Sequence, residues 1–316
     1  MLRLGLFIMI SSPDQSRRSF LRSALAAGAA SNMMPAAFAD HHGGKPPFKI
    51  SLAEWSLNKM IRKGDLKNMD FPQFSKERCG IDAVEYVNQL FADGTVNDKY
   101  FRDLKKRCDD IGVKSLLIMC DGLGKLGDPD SAKRHRAVLN HALWINGAQA
   151  LGCHSIRVNA SSTGKRVEQE KLAADGLASL SELAKPYGMN VVVENHGGLS
   201  SDGSWLSSVM KRVNMPNCGT LPDFGNFNIG GGKTYDRYKG VTELMPFAKA
   251  VSAKSNNFDS DGNETKTDFY KMMDIVLKAG YHGYVGIEYE GGKIGELEGI
   301  LATKKLLESV RAKVKA

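Results

Sequence analysis

Short apolar runs alternate with longer amphipathic stretches from Phe48 to the end of this chain. The clearest run is Val191-Val192-Val193, three β-branched residues without a polar break, as in a parallel strand buried on both faces. Glu194, Asn195 and His196 follow at once, then Gly197-Gly198. An unpaired charge is costly to bury. Glu194 is therefore expected to pair with a cation or to sit at the strand's open end. Similar runs predict strands over 48–53, 81–87, 113–120, 153–159, 218–227 with its loop, 248–254 and 284–288. Helical periodicity covers 100–111, where Phe101, Leu104, Cys108 and Ile111 form one stripe, then 131–151, 168–187, 205–213, 267–279 and 294–314, with a weaker helix ending near 247.

Eight strand–helix units at a spacing of about thirty residues predict an α/β fold, a (β/α)8 TIM barrel. A doubly wound open sheet is the alternative. No GxGxxG or phosphate-binding glycine loop follows the first strand, which argues against it. No break divides residues 48–316, so they are read as one domain.

The stretch before that domain has a different character. Ser16-Arg17-Arg18-Ser19-Phe20-Leu21-Arg22 resembles the twin-arginine export motif, a small-residue apolar segment runs from Ala24 to Ala30, and Ala37-Phe38-Ala39 fits a small-x-small cleavage site. Residues 1–39 are thus expected to be a twin-arginine signal peptide and 40–47 a linker, which places the mature protein in the periplasm or outside the cell. Proteins exported by that route fold first, often with a cofactor already inserted.

The formal net charge is +8, of which the leader's four arginines and one aspartate account for +3. The remaining excess is mild, and basic residues such as Lys105, Lys106 and Arg107 lie beside Asp109 and Asp110. That is a solvated mixed-charge face, not the basic stripe of a nucleic-acid binder. No mature segment is apolar and long enough to span a bilayer, and no lipid-anchor cysteine follows the leader. The five cysteines are odd in number and form no CxxC pair, so neither a disulfide framework nor a zinc knuckle is expected.

In a barrel the C-terminal ends of the strands meet at one mouth. Here those ends carry Glu54, Glu85, Asp121, Arg157 with Asn159, Glu194 with His196, Asp223 with Asn226, Lys254, and Glu288 with Glu290. Carboxylates pooled from opposite strands repel unless a cation joins them. Residues two apart on a strand share a face, as Arg157 does with Asn159 and Glu194 with His196.

Four stretches carry a family resemblance: Val193-Glu194-Asn195-His196-Gly197-Gly198, Asp223-Phe224-Gly225-Asn226, Ala253-Lys254-Ser255, and Gly283-Tyr284-Val285-Gly286-Ile287-Glu288-Tyr289-Glu290. In this order they resemble the xylose isomerase-like barrels, often labelled sugar phosphate isomerases/epimerases. The resemblance spans residue 48 to the C-terminus. It implies one divalent metal (Mn, Mg, Zn or Co not distinguished) held by Glu194, Asp223 and Glu288, with a His or Gln as fourth ligand. At that fourth position this chain has Lys254, and where the family has a substrate-contacting His it has Asn226. A charged ammonium has no lone pair to donate. Three arrangements remain open: a metal held by the carboxylates with water and His196, a neutral ligating Lys254, or an ammonium standing in the metal's place.

The resemblance implies proton transfer α to a carbonyl through a metal- or lysine-stabilised enediolate. Glu194 and Glu288 would exchange the proton, Lys254 would steady the negative charge, and Arg157, His196, Asn226, Glu54 and Glu85 would hold substrate. An exported enzyme would meet a free or oxidised sugar more often than a phosphorylated one. The partner is then a small-molecule sugar or keto-sugar, and a homo-oligomer is compatible with this class. Two other readings compete: a non-catalytic sugar-binding barrel, and a lyase or hydrolase acting on keto-sugars. A zinc endonuclease on the same scaffold needs several histidines at the mouth, where only His196 of seven would lie.

Overall fold

The computed structural model describes residues 46–91 and 96–315. The expected signal peptide and residues 40–45 of the linker lie outside the described residues. Eight parallel strands build the sheet: β1 (Lys49–Ala53), β2 (Ala83–Val87), β3 (Lys114–Met119), β4 (Ser155–Val158), β5 (Asn190–Glu194), β6 (Cys218–Leu221), β7 (Val251–Ser255) and β8 (Tyr284–Tyr289). Each strand from β1 to β6 pairs with the next in sequence, while β1 also pairs with β8, Lys49 opposite Tyr284, and β8 with β7, Glu288 opposite Lys254. Bridges from Thr220 to Ala248 and from Asp223 to Ser252 join β6 to β7 and close the ring. The expected α/β TIM barrel is the observed fold.

Alternation along each strand sorts its side chains into two layers. Outward residues such as Ile50, Leu52, Val84, Tyr86, Ile156, Val158, Val191, Val193, Val251, Val285 and Ile287 join the main core beneath the helices. Inward, Ala53, Val87, Leu117, Met119, Val192 and Leu221 form a separate small cluster inside the barrel. The polar residues that share their parity include Ser51, Glu85, Arg157, Glu194, Ser252, Lys254 and Glu288. The barrel therefore places these charged side chains in its interior and not in the apolar layer between the strands and the helices.

Several element boundaries differ from expectation for local reasons. The helix expected over 131–151 is two, Ser131–Asn140 and Ala142–Leu151. The buried His141 ring lies 2.7 Å from the Ala137 carbonyl, the acceptor its own backbone N–H would use, and that N–H turns to Val138 instead. The α-helix Arg166–Ala184 gives way to a 3-10 turn at Lys185–Tyr187, where Pro186 brings no N–H. The glycine-rich stretch before residue 235 folds as a small antiparallel hairpin, Asn228–Gly230 against Lys233–Thr234. Among the described residues no helix is long and apolar enough to cross a membrane.

Candidate active site

Strands β5, β6 and β8 bring Glu194, Asp223 and Glu288 together, each buried, with one carboxylate oxygen apiece lying within 4.8 Å of the others. Local structure explains how. Asn195 points outward from the end of β5 and donates to the carbonyls of Asp223 and Asn226 while accepting from Asp223 N–H at 2.8 Å. It thereby ties the loop after β6 to β5. Gly197 and Gly198 then take φ of +84° and +57°, a turn that side chains with a Cβ rarely adopt. The backbone N–H groups of His196 and Gly197 donate to Ser200 and Ser201, which hold that turn.

The second oxygens of the carboxylates are held by donors. Asp223 Oδ1 accepts from Gly225 and Asn226 N–H, both at 2.8 Å. Ser252 Oγ lies 2.8 Å from Asp223 Oδ2 and 3.0 Å from Glu288 Oε2, close enough to bridge them. Asn226 Nδ2 donates to Glu194 Oε1 at 2.8 Å. Two cations complete the arrangement. Arg157 places Nε 2.6 Å from Glu194 Oε2 and Nη1 2.8 Å from Asp121 Oδ1. Lys254 Nζ lies 3.3 Å from both Glu288 Oε1 and Glu290 Oε2, 4.0 Å from Asp223 Oδ2, and donates to Asn226 Oδ1 at 3.1 Å.

These contacts push the carboxyl groups in opposite directions. Burial raises Glu194 to about 7, against the pull of Arg157. Burial likewise raises Asp223 to about 7, against Lys254. Glu288 is buried too, but Lys254, Arg157 and the Ser252 hydroxyl together outweigh that and hold it below its ordinary value. One protonated and one ionised carboxyl near neutral pH is the division an acid–base pair needs.

A cavity of about 220 Å³ opens above this layer, lined by Trp55, Met119, Asp121, Arg157, His196, Glu288 and Glu290, with Val87 and Gln89. Glu288, Arg157 and His196 thus face open space. Glu194 and Asp223 have no exposure and do not line the cavity; Lys254, 5% exposed, stands level with its register partner Glu288. Asn226 sits with them, bridging Glu194 and Lys254.

Two expected substrate contacts fall elsewhere. Glu54 shares the outward parity of Leu52 and is fully buried, accepting from Asn68 Nδ2 at 2.6 Å and Val87 N–H at 3.0 Å. Both its oxygens serve the fold, and Trp55 reaches the cavity instead. Glu85 faces inward as expected but too deep: it is buried, accepts from Ser51 Oγ at 2.6 Å, and presses against Gly286, where a Cβ would lie 2.6 Å from its oxygen. Burial raises it to about 7. Neither residue lines the cavity. Glu290, expected at the mouth with Glu288, lies there, and Trp55 lines the cavity too, whereas Ser252 belongs to the site without having been expected there. Ser252 is two before Lys254, so face-sharing alone pointed to it. Trp55 Nε1 donates to Glu290 Oε1 at 2.6 Å, fixing that carboxylate beside Lys254.

The carboxylate trio matches what a divalent cation requires in its three oxygens. The match fails at the fourth position. Lys254 is within ion-pair distance of two of the same carboxylates, and an ion held there would meet an ammonium at close range. Like charges that close repel by several kcal/mol even at an effective dielectric of about 20. Of the three arrangements for Lys254, its contacts are those of a charged donor: two carboxylates, a third at the limit, and an amide oxygen.

A closed barrel that delivers buried acids and cations to the C-terminal ends of its strands defines a class, the (β/α)8 proteins that carry their chemistry at that face. This chain belongs to the xylose isomerase-like TIM barrel family, whose profile matches residues 76–313. A curated Xenopus laevis protein named "Putative hydroxypyruvate isomerase" is 24% identical over 183 residues, which is 53% of this chain and 65% of that protein's length. Among solved structures, an L-ribulose 3-epimerase superposes with a TM-score of 0.65 at 16% identity, covering 85% of this chain and 97% of that one. The IOLI protein, solved with a binding zinc atom, does so with a TM-score of 0.65 at 17% identity, covering 84% and 99%. At these identities the structures speak to the fold. The family placement supports an isomerase-type enzyme of the general sugar isomerase or epimerase kind, and the chain spans just under two thirds of the length of the curated relative it matches.

Proposed function

We propose that the protein moves a proton α to the carbonyl of a free or oxidised sugar, through an enediolate. The carrying observation is the pair of acids Glu194 and Glu288 within reach of one another, with the ammonium of Lys254 against Glu288. Glu288 faces the cavity and takes the carbon-bound proton. The C–H electron pair becomes the C=C bond, and the carbonyl pair moves onto oxygen, where a nearby cation lowers the cost of the charge. Glu194 is the second carboxyl, with one oxygen within 4.8 Å of an oxygen of Glu288. Return of the proton to the opposite face gives an epimer, and to the neighbouring carbon an isomer. Arg157, His196 and Trp55 hold hydroxyls.

The lining supports an unphosphorylated substrate. Asp121, Glu288 and Glu290 outnumber Arg157 among the charged residues that line the cavity, so a phosphate would meet net negative charge. The volume of about 220 Å³ lies below the ~300–1,000 Å³ usual for larger ligands and suits one small sugar. Export by the leader read in residues 1–39 accords with this, because free sugars dominate outside the cytoplasm.

The test is deuterium uptake from D2O into ketoses and keto-sugars, followed by NMR. Glu288→Gln should abolish exchange with the circular dichroism spectrum unchanged. A Glu288→Ala protein with full exchange would remove this site from consideration. Binding of sugars without exchange in the unaltered protein would favour a binding barrel, a reading the deep burial of Glu194 and Asp223 favours.

A further inference from the structure

We infer that Lys254 is the built-in cation of this site, occupying the role of a divalent metal, and that the protein needs no metal ion. Its catalytic half rests on the proton-transfer reading above; its metal half does not.

Four features of the site are shaped around the ammonium. Lys254 and Glu288 are register partners on adjacent strands, so their side chains leave the barrel wall side by side, and Nζ meets Oε1 at 3.3 Å. Gly225 lacks the Cβ that would lie 2.9 Å from Lys254 Cδ and 3.0 Å from Cγ, which leaves a channel for the lysine stem. Asn226 turns its amide oxygen to the ammonium and its amide nitrogen to Glu194, the orientation that suits a donor on one side and a carboxylate on the other. Glu290, anchored by Trp55, closes the fourth side at 3.3 Å.

A divalent ion would need lone pairs from this set. An ammonium offers none; it compensates Glu288 at 3.3 Å and Asp223 at 4.0 Å, two of the three acids that a metal would bridge, while Arg157 compensates the third, Glu194, at 2.6 Å. The same ammonium is close enough to Glu288 to reach a carbonyl oxygen that docks against that residue. It would then stabilise the enediolate oxygen as a fixed positive charge.

The experiment measures metal and exchange separately. Protein purified without chelator is assayed for bound metals and titrated calorimetrically with Mn2+, Zn2+ and Co2+. Deuterium exchange is measured with and without EDTA. The expected result is no stoichiometric ion, no saturable heat, and exchange indifferent to chelation. Lys254→His, and Lys254→Gln should the first not fold, should gain one saturable divalent site per chain where the unaltered protein shows none, visible as Co2+ absorption. Lys254→Met should lose exchange, with no recovery on adding metal. One tightly held ion per unaltered chain, or exchange lost with EDTA and restored by metal, would overturn the inference while leaving the proton-transfer reading intact. Absence of exchange with every sugar, alongside absent metal binding, would instead remove that reading and leave Lys254 as the site's cation.

Discussion

Replacing Arg157 by methionine keeps most of the side-chain volume and removes the guanidinium from between Asp121 and Glu194. Asp121 can still be hydrated, since its side chain is 20% exposed and Asn159 also donates to it. Glu194 has no exposure and is left with the Asn226 amide alone. Breaking a buried ion pair by removing one partner costs about 3–5 kcal/mol. For a barrel of this size that is roughly 2 °C of melting temperature per kcal/mol, hence a drop of about 6–10 °C. Glu194 is the protonated member of the pair, already raised to about 7 by burial, and is harder still to deprotonate without Arg157, so the fall of activity at alkaline pH should move upward. Urea unfolding and a pH–rate profile read both effects. Adding Glu194→Gln to Arg157→Met should restore most of the lost stability, because the uncompensated charge is gone. A single variant within about 0.5 kcal/mol of the parent at pH 8, with an unmoved pH profile, would refute the account.

Glu85→Gln should flatten the alkaline side of the stability profile. The carboxyl titrates at 4.5 when unfolded and at about 7 when folded, because of burial. The folded state therefore keeps its proton longer, and that contribution is full below 4.5 and lost as pH rises through about 7. Chemical denaturation at pH 8 should show the glutamine variant more stable by up to about 3 kcal/mol, with no difference at pH 4. Gly225→Ala drives a methyl into the Lys254 stem. It should cost about 1–3 kcal/mol in a melt and lower kcat for proton exchange more than it raises KM, whereas an alanine tolerated without either change would contradict the packing described.

The order of elements was legible in the sequence because it rests on local physics. Buried parallel strands demand continuous apolar runs, and helices packed over them demand a 3.6-residue stripe, so Val191-Val192-Val193 and the Phe101–Ile111 stripe could be read directly. The departures were local too: the His141 ring took a carbonyl from its helix, and Pro186 withheld an N–H.

Parity was equally present in the sequence, though it went unused at β1. Glu54 lies two after Leu52, an outward residue, so it follows Leu52 into the core; Trp55 follows Ser51 and Ala53 toward the interior. What no strand could announce was distance across the barrel. Residues 194, 223, 254 and 288 are tens of positions apart, and only closure of the ring between β6 and β7 brings them to one point. Their depth, with Glu85 and Glu194 sealed and Glu288 at the cavity, depends on how far each strand is staggered against its neighbours. The sequence by itself determined which charges the barrel contains; tertiary structure decided which of them touch, because contact between strand ends is set by closure and stagger and not by any pattern within a strand.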